Sequence, residues 1–378
     1  MIIRPHYLNL LRTYRDIPLV KILAGIRRCG KSTILEMLQD DLIKSGVPSD
    51  HIISMRYTSE DFDNGMTDKD MYNSIKEKMT DDRRYYLLLD EVQEITGWEK
   101  AVNSLLENAN TDLYVIGSNS KLMSGEISTY LTGRYISLPV FTLSFAEYME
   151  FKKTDGRTPK ELLTGYIRMG GFPIVALSNF DEGAAYQIVE GIYNSVITSD
   201  ITRRHNITNF DLFNRVVKYI IENVGKTFSA NAIVKFLKNE GRPLSVESVY
   251  NYLEWLEKAF VIYRCQRYDL QGKSVLKTQE KFYLADPSLK YCHLCGWTLQ
   301  GASNLTPTFA KPALTRFCVC LRIRVLLIWE WVANPMSHPH CHKWHAGRPL
   351  DCNRTGGKIV RGGKWNCKRF CFWKTISA

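Results

Sequence analysis

The sequence predicts an α/β domain built on a parallel sheet, then a helical segment, then a winged-helix-like domain, with an irregular tail. Three observations carry this expectation. Short apolar runs alternate with stretches of helical spacing in the first third of the chain. The stretch LAGIRRCGKSTIL (residues 23–35) sets a glycine-bounded loop between a strand and a helix. Three amphipathic stretches with cap residues then occupy residues 209–258.

The loop comes first. Gly25 to Ser32 fits G-x-x-x-x-G-K-[ST] without a mismatch. Residues 17–25 (IPLVKILAG) form an apolar, branched run of strand type, and KSTILEMLQDDL after it has helical spacing. Gly25 and Gly30 allow the backbone to turn its N–H groups around an anion. A helix N-terminus adds positive potential at the same place. The loop residues Gly25, Arg27, Arg28, Cys29, Gly30, Lys31, Ser32 and Thr33 are therefore the expected nucleotide-binding set. Lys31 would reach the β- and γ-phosphates, and the Ser32 hydroxyl would ligate Mg²⁺. Nothing in the sequence reads the base, so ATP and GTP are not separated by it.

A P-loop enzyme also needs carboxylates. YYLLLDEVQE supplies them: residues 85–89 suit a buried parallel strand, with Asp90 and Glu91 at its C-terminal end. Asp90 is expected to hold Mg²⁺, and Glu91 to orient and deprotonate the attacking water. A third apolar run, residues 112–120 (DLYVIGSNS), ends on Asn119, where a side-chain amide would contact the γ-phosphate or the water. Arg134 follows Gly133 and is a candidate for stabilising transition-state charge, within the subunit or across an interface. The bland alternatives are a turn residue for Asn119 and a surface salt bridge for Arg134.

The set GIRRCGKST, LLLDEVQEITGWE, VIGSNSKLMSGEISTYLTGRYISLPVFTLSFAEY and GGFP resembles the prokaryotic AAA-type ATPases that carry a DUF4143 C-terminal region. The resemblance spans residues 17–290. It implies an AAA-like parallel sheet, ATP binding and hydrolysis, with Lys31, Ser32, Asp90 and Glu91 carried over directly and Asn119 and Arg134 as sensor and arginine candidates. It supplies no biological role.

Residues 150–215 read as helices, broken at Gly170, Gly171 and Pro173, which cannot continue a helix cheaply. Asp200, Arg203 and Arg204 form a charged cluster expected to be a solvated or interdomain salt-bridge face. In residues 209–272, Ser229 and Ser245 are expected N-caps, and Gly225 and Gly241 expected stops. A DNA-reading third helix should expose basic and amide side chains. This one offers Glu247, Asn251, Glu254 and Glu257, with Lys258 as its one cation, which favours a protein or interdomain contact over groove readout. The expected divisions are 1–148, 149–208, 209–290 and 291–378.

Formal net charge is +11 over 378 residues. Residues 291–378 hold thirteen Lys/Arg against two acids, Glu330 and Asp351, so the whole excess lies there and residues 1–290 balance. The first 290 residues therefore give no electrostatic argument for nucleic acid. The tail also holds eight of the ten Cys and six of the eight Trp, without a helical or alternating period. Two readings compete. One is a zinc-dependent nucleic-acid module, using Cys292 and Cys295 completed by Cys318 and Cys320, or by His338, His340, Cys341 and His342. The other is out-of-frame translation, which is rich in Cys, Trp and Arg and poor in acids. Relatives resemble a restriction-nuclease-like fold at this end, with a Glu…Asp pattern that has no counterpart here, so no nuclease role carries over.

No apolar N-terminal leader or membrane span is evident, which sets the expectation of a cytoplasmic protein. The expected ligands are ATP and Mg²⁺, and the expected partner is a protein not identified by the sequence, with oligomerisation open. A nucleotide-dependent DNA-binding switch is the alternative function. Zinc content of the purified full-length chain, read beside its intact mass, separates the two tail readings: a zinc module predicts about one metal per chain.

Overall fold

The computed structural model describes residues 2–57, 61, 65–108, 110–117, 130–131, 133–178, 180–268, 280–290 and 364–366. The first half alternates strands and helices: α1 (Pro5–Thr13), β1 (Val20–Ala24), α2 (Lys31–Lys44), β2 (Ile52–Arg56), α3 (Asp68–Lys76), β3 (Tyr85–Asp90), α4 (Trp98–Asn108), β4 (Thr111–Gly117) and β5 (Tyr135–Pro139). The strands form one sheet in the order β2-β3-β4-β1-β5, every pair parallel. This is the expected α/β architecture.

The sheet is covered on both faces, and the period-two geometry of a strand divides each apolar run between them. Tyr85, Leu87, Leu89, Leu113 and Val115 point to one side, against Met71, Ile75, Trp98, Val102 and Leu105 of α3 and α4. Tyr86, Leu88, Tyr114 and Ile116 point to the other, against Leu8 and Leu11 of α1 and Leu35, Leu38 and Leu42 of α2.

Lys21 of β1 and Asp112 of β4 form an ion pair, both side chains fully buried. The Lys21 ammonium also donates to the Ile17 carbonyl at 2.7 Å, while Asp112 accepts from the Tyr114 hydroxyl and the Asp16 amide, each at 2.9 Å. Burial holds the lysine below its usual range despite this partner.

The second half is helical. It runs α5 (Phe145–Phe151), α6 (Pro159–Met169), α7 (Pro173–Leu177) and α8 (Glu182–Ser195). Ser144 with Glu147 and Thr158 with Glu161 close capping boxes at the starts of α5 and α6. Beyond Ser195 the helix passes into a π-helical stretch, Val196–Thr202, and a last turn, Arg203–His205. Then come α9 (Phe210–Glu222), α10 (Ala230–Asn239) and α11 (Val246–Lys258), followed by strands β6 (Ile262–Tyr268) and β7 (Glu280–Leu284). β6 pairs antiparallel with β7 and, on its other edge, with a short strand β8 (Lys364–Asn366). Ser229 and Ser245 cap α10 and α11 as expected, accepting from the Ala232 and Ser248 amides at 3.3 and 3.0 Å. α11 buries Val249, Tyr252, Leu253 and Leu256 and leaves Glu247, Asn251 and Glu254 exposed.

The break after α6 packs against the segment ahead of α5 and the residues that follow β7. Gly170 has φ +82°, and a Cβ there would lie 1.9 Å from Asp286 Oδ1; a Cβ on Gly171 would lie 2.4 Å from the Leu143 carbonyl oxygen. Asp286, fully buried just after β7, accepts from the Gly171 amide at 2.9 Å and from the Ser288 amide at 3.0 Å and its hydroxyl at 2.5 Å. Burial pushes this carboxyl above its usual range, with the hydrogen bonds opposing. Among the described residues no helix is long and apolar enough to cross a membrane.

Gly170→Ala combines a left-handed backbone with overlap against a buried carboxylate. It should cost about 3 kcal/mol or more, checked by urea denaturation.

Candidate nucleotide site

β4 lies between β1 and β3, so the two chemically loaded strand ends are separated by one strand and open toward the same edge of the sheet. β1 runs into the loop of residues 25–30. Gly25 passes so close to the next segment that an added Cβ would sit 2.0 Å from the Val140 carbonyl oxygen. Arg28 takes φ +67° and Gly30 φ +98°, two left-handed turns that fold the loop back onto the start of α2. The Lys31 ammonium is buried in the loop's mouth, donating to the Gly25 and Ile26 carbonyls at 2.9 and 3.1 Å. Cys29 is buried with its sulfur 3.9 Å from that nitrogen. Arg28 is exposed and Thr33 half-buried on the first turn of α2.

Ser32 donates its hydroxyl to Asp90 Oδ2 at 2.8 Å. Asp90 is buried, and its second oxygen, Oδ1, has no hydrogen-bond partner. Burial pushes this carboxyl above its usual range, helped by Glu91 and opposed by the Ser32 hydroxyl, Arg56 and Lys31. A buried carboxylate oxygen without a donor, next to a serine hydroxyl, is the donor set of a small hard cation. The residues present therefore fit Mg²⁺. Glu91 follows with φ +53°, its amide donating to the Ile116 carbonyl at 3.0 Å, a turn that carries its side chain beyond the end of β3. The Gln93 amide donates to the Glu91 carboxylate.

Other groups arrive at the loop from elsewhere in the chain, and Arg4 among them was not anticipated from the sequence. Arg4, ahead of α1, is buried and donates to the Cys29 carbonyl of the loop and to the Phe141 carbonyl, each at 3.1 Å. It pairs with Glu147 at 2.7 and 3.2 Å and lies over the Tyr7 ring at 4.4 Å. Pro173 lies 3.5 Å from where a Gly30 Cβ would be. Asp200, expected on a solvated or interdomain salt-bridge face, pairs across the two halves with Arg27 at 3.0 Å. A proline at the first position of α1 marks the helix start, but no local pattern shows where Arg4 reaches.

Arg134 is a correction to an in-subunit catalytic role. It precedes β5 at the sheet's opposite end, its carbonyl accepting from the Val20 amide at 2.9 Å. Its guanidinium donates to Glu107 at 2.5 Å, and half the side chain is exposed. In a parallel sheet the strand starts lie a full strand length from the strand ends, which keeps Arg134 away from the loop. Asn119 and the tail candidates Cys292, Cys295, Cys318, Cys320, His338, His340, Cys341 and His342 lie outside the described residues.

A phosphate loop, a buried lysine and an acidic strand end on a five-stranded parallel sheet define the P-loop class. The AAA domain family matches residues 18–149, and a domain of unknown function, DUF8612, matches residues 160–300, where the resemblance led to the expectation of DUF4143. An uncharacterized protein of Haemophilus influenzae is 34% identical over 293 residues, covering 77% of this chain and 73% of its own length. An uncharacterized protein of Methanocaldococcus jannaschii is 27% identical over 276 residues, covering 71% and 60%. In fold the chain is similar to the Walker-type ATPase of Pyrococcus abyssi, with a TM-score of 0.54 and 14% identity over 78% of this chain and 96% of that one. Residues 18–149 form an AAA domain of the P-loop class, and the chain belongs to one family with the Haemophilus influenzae protein.

Removing the Glu147 charge leaves the buried Arg4 without its counter-ion. Glu147→Gln should cost about 3 kcal/mol at pH 7 by denaturant unfolding. Burial raises the Glu147 carboxyl, but the Arg4 pair and the Ser144 cap hold it below its usual range. Its stabilisation is therefore complete above the ordinary carboxylate range and lost as pH falls through the lowered value, so the gap between variant and wild type should close in acid.

Proposed function

We propose that the chain is a Mg²⁺-dependent ATPase whose hydrolysis moves the helical and winged-helix-like parts and relays the state of the site to a protein partner. The observation that carries this is the Ser32–Asp90 pair with its unsatisfied buried oxygen, set beside Glu91 and Lys31. Ser32 and Asp90 would hold Mg²⁺, which supplies charge neutralisation on the phosphates when bound. Lys31 would exchange its two loop carbonyls for phosphate oxygens, and the loop amides would line the same anion. Glu91 accepts the proton of the attacking water, its carboxylate steadied by the Gln93 amide. Asn119, two residues beyond β4 in the sequence, is proposed as a polar sensor. For Arg134 the proposal is a role across an interface between copies.

We assign residues 1–148, 149–208 and 209–290 to the ATPase, helical and winged-helix-like units. The acidic exposed face of α11 supports contact with protein rather than DNA. A cytoplasmic location belongs to the same reading.

Two variants test the site. Lys31→Ala should weaken ATP binding about 100-fold or more by titration calorimetry. Glu91→Gln should bind ATP within about threefold of wild type while phosphate release falls about 10²–10⁴-fold. Wild-type turnover in Glu91→Gln would remove Glu91 from the mechanism.

A further inference from the structure

Arg27 stands in the phosphate loop, yet its guanidinium is held by the second half of the chain. Nη2 donates to Asp200 Oδ1 at 3.0 Å and Nε to Oδ2 at 3.3 Å, so both carboxylate oxygens are engaged. The two ends of this fork differ in exposure: the Asp200 side chain is 1% exposed and that of Arg27 is 34% exposed. Asp200 is thus a buried charge compensated by a cation whose other side is open to solvent. The Asp200 hydrogen bond raises the Arg27 pKa, burial opposes it, and Asp200, Glu91 and Glu94 raise it through their charge. Arg27 therefore lies in the field of the catalytic strand end as well as that of Asp200.

Asp200 sits inside the π-helical stretch Val196–Thr202. A π turn takes in one residue more than an α turn, so it rotates the downstream part of the helix by about 100° relative to a continuous α-helix. The π register is thus what aims Asp200 at the loop; a continuous α-helix would turn it away. In α-helical register Arg204, four residues on, would share a face with Asp200. The Arg204 side chain has a buried Nη1 with no hydrogen-bond partner.

We propose that Asp200 is a positioning residue for Arg27. It holds the guanidinium at the rim of the phosphate loop, and the phosphate oxygens of a bound nucleoside triphosphate compete with it for the same N–H groups, so that nucleotide binding releases the π-helical segment. This rests on the reading of residues 25–32 as a nucleotide site. The pair links that site to the helical half, and linkage requires reciprocity: whatever weakens the grip on Arg27 tightens nucleotide binding.

The test uses the full chain, Mg²⁺ and a non-hydrolysable ATP analogue, with affinity by calorimetry and hydrogen exchange over residues 196–205. In wild type, exchange there should rise when the analogue binds. Asp200→Asn should tighten binding about fivefold, within the usual range of such coupling, and show the raised exchange without analogue. Asp200→Glu should restore part of the wild-type behaviour. In an Arg27→Gln background, Asp200→Asn should change affinity less than twofold. Arg27→Lys keeps the charge and loses the fork. It should also raise exchange over 196–205 without analogue, and it serves if Asp200→Asn does not fold. Unchanged or weaker affinity in Asp200→Asn, with exchange still dependent on analogue, overturns the proposal and leaves the pair a structural tie. A wild type that binds no analogue overturns the site reading first, and this one with it.

Discussion

The arrangement depends on β4 pairing with β1 on one side and β3 on the other. That one placement separates the loop after Ala24 from Asp90 by a single strand and brings the Ser32 hydroxyl to the carboxylate. Parallel pairing sends the strand ends to one edge, and both faces must then be covered by helices. α1 and α2 cover one face and α3 and α4 the other. The second half of the chain packs onto the first of these, and α8 to α11 share one apolar core with α1 and α2, while α5 and α6 bury a smaller cluster of their own. The proposed nucleotide site and the helical half are thus in contact through the body of the protein as well as through the Arg27–Asp200 fork.

Much of the site was legible because its signal is local. The spacing from Gly25 to Ser32 reports a backbone path that few other residues can follow; the close approach of Val140 to Gly25 shows why. The placing of Asp90 and Glu91 at the end of a buried strand was legible because a short apolar run stops at two acids there. The caps at Ser229 and Ser245 and the break at Gly170 were read from residue chemistry alone, and the structure has them there. The strand β2 was not anticipated: its residues, IISMR, alternate too briefly to be told from a helix end.

What sequence could not show was long-range pairing. Arg4 and Cys29, Gly171 and Asp286, and Arg27 and Asp200 stand 25, 115 and 173 residues apart. No periodicity encodes such partners. The π stretch, Val196–Thr202, was hidden because seven residues are too short a run for an altered helical period to stand out. Arg134 misled in the opposite way. It was a candidate for transition-state charge within the subunit or across an interface, but β5 runs from it toward the strand ends, which leaves Arg134 at the far end of its own sheet.

The Lys21–Asp112 pair sits at that far end, away from the chemistry. Sliding β1 by one residue against β4 would turn Lys21 to the opposite face and leave two charges in separate apolar layers, at several kcal/mol for each ion. Backbone hydrogen bonds alone would tolerate such a slip, because every rung of a parallel ladder is alike. The buried pair is therefore a registration mark. It sets, from the bottom of the sheet, the height at which the phosphate loop emerges relative to the acidic strand, and so fixes the aim of a site it never touches.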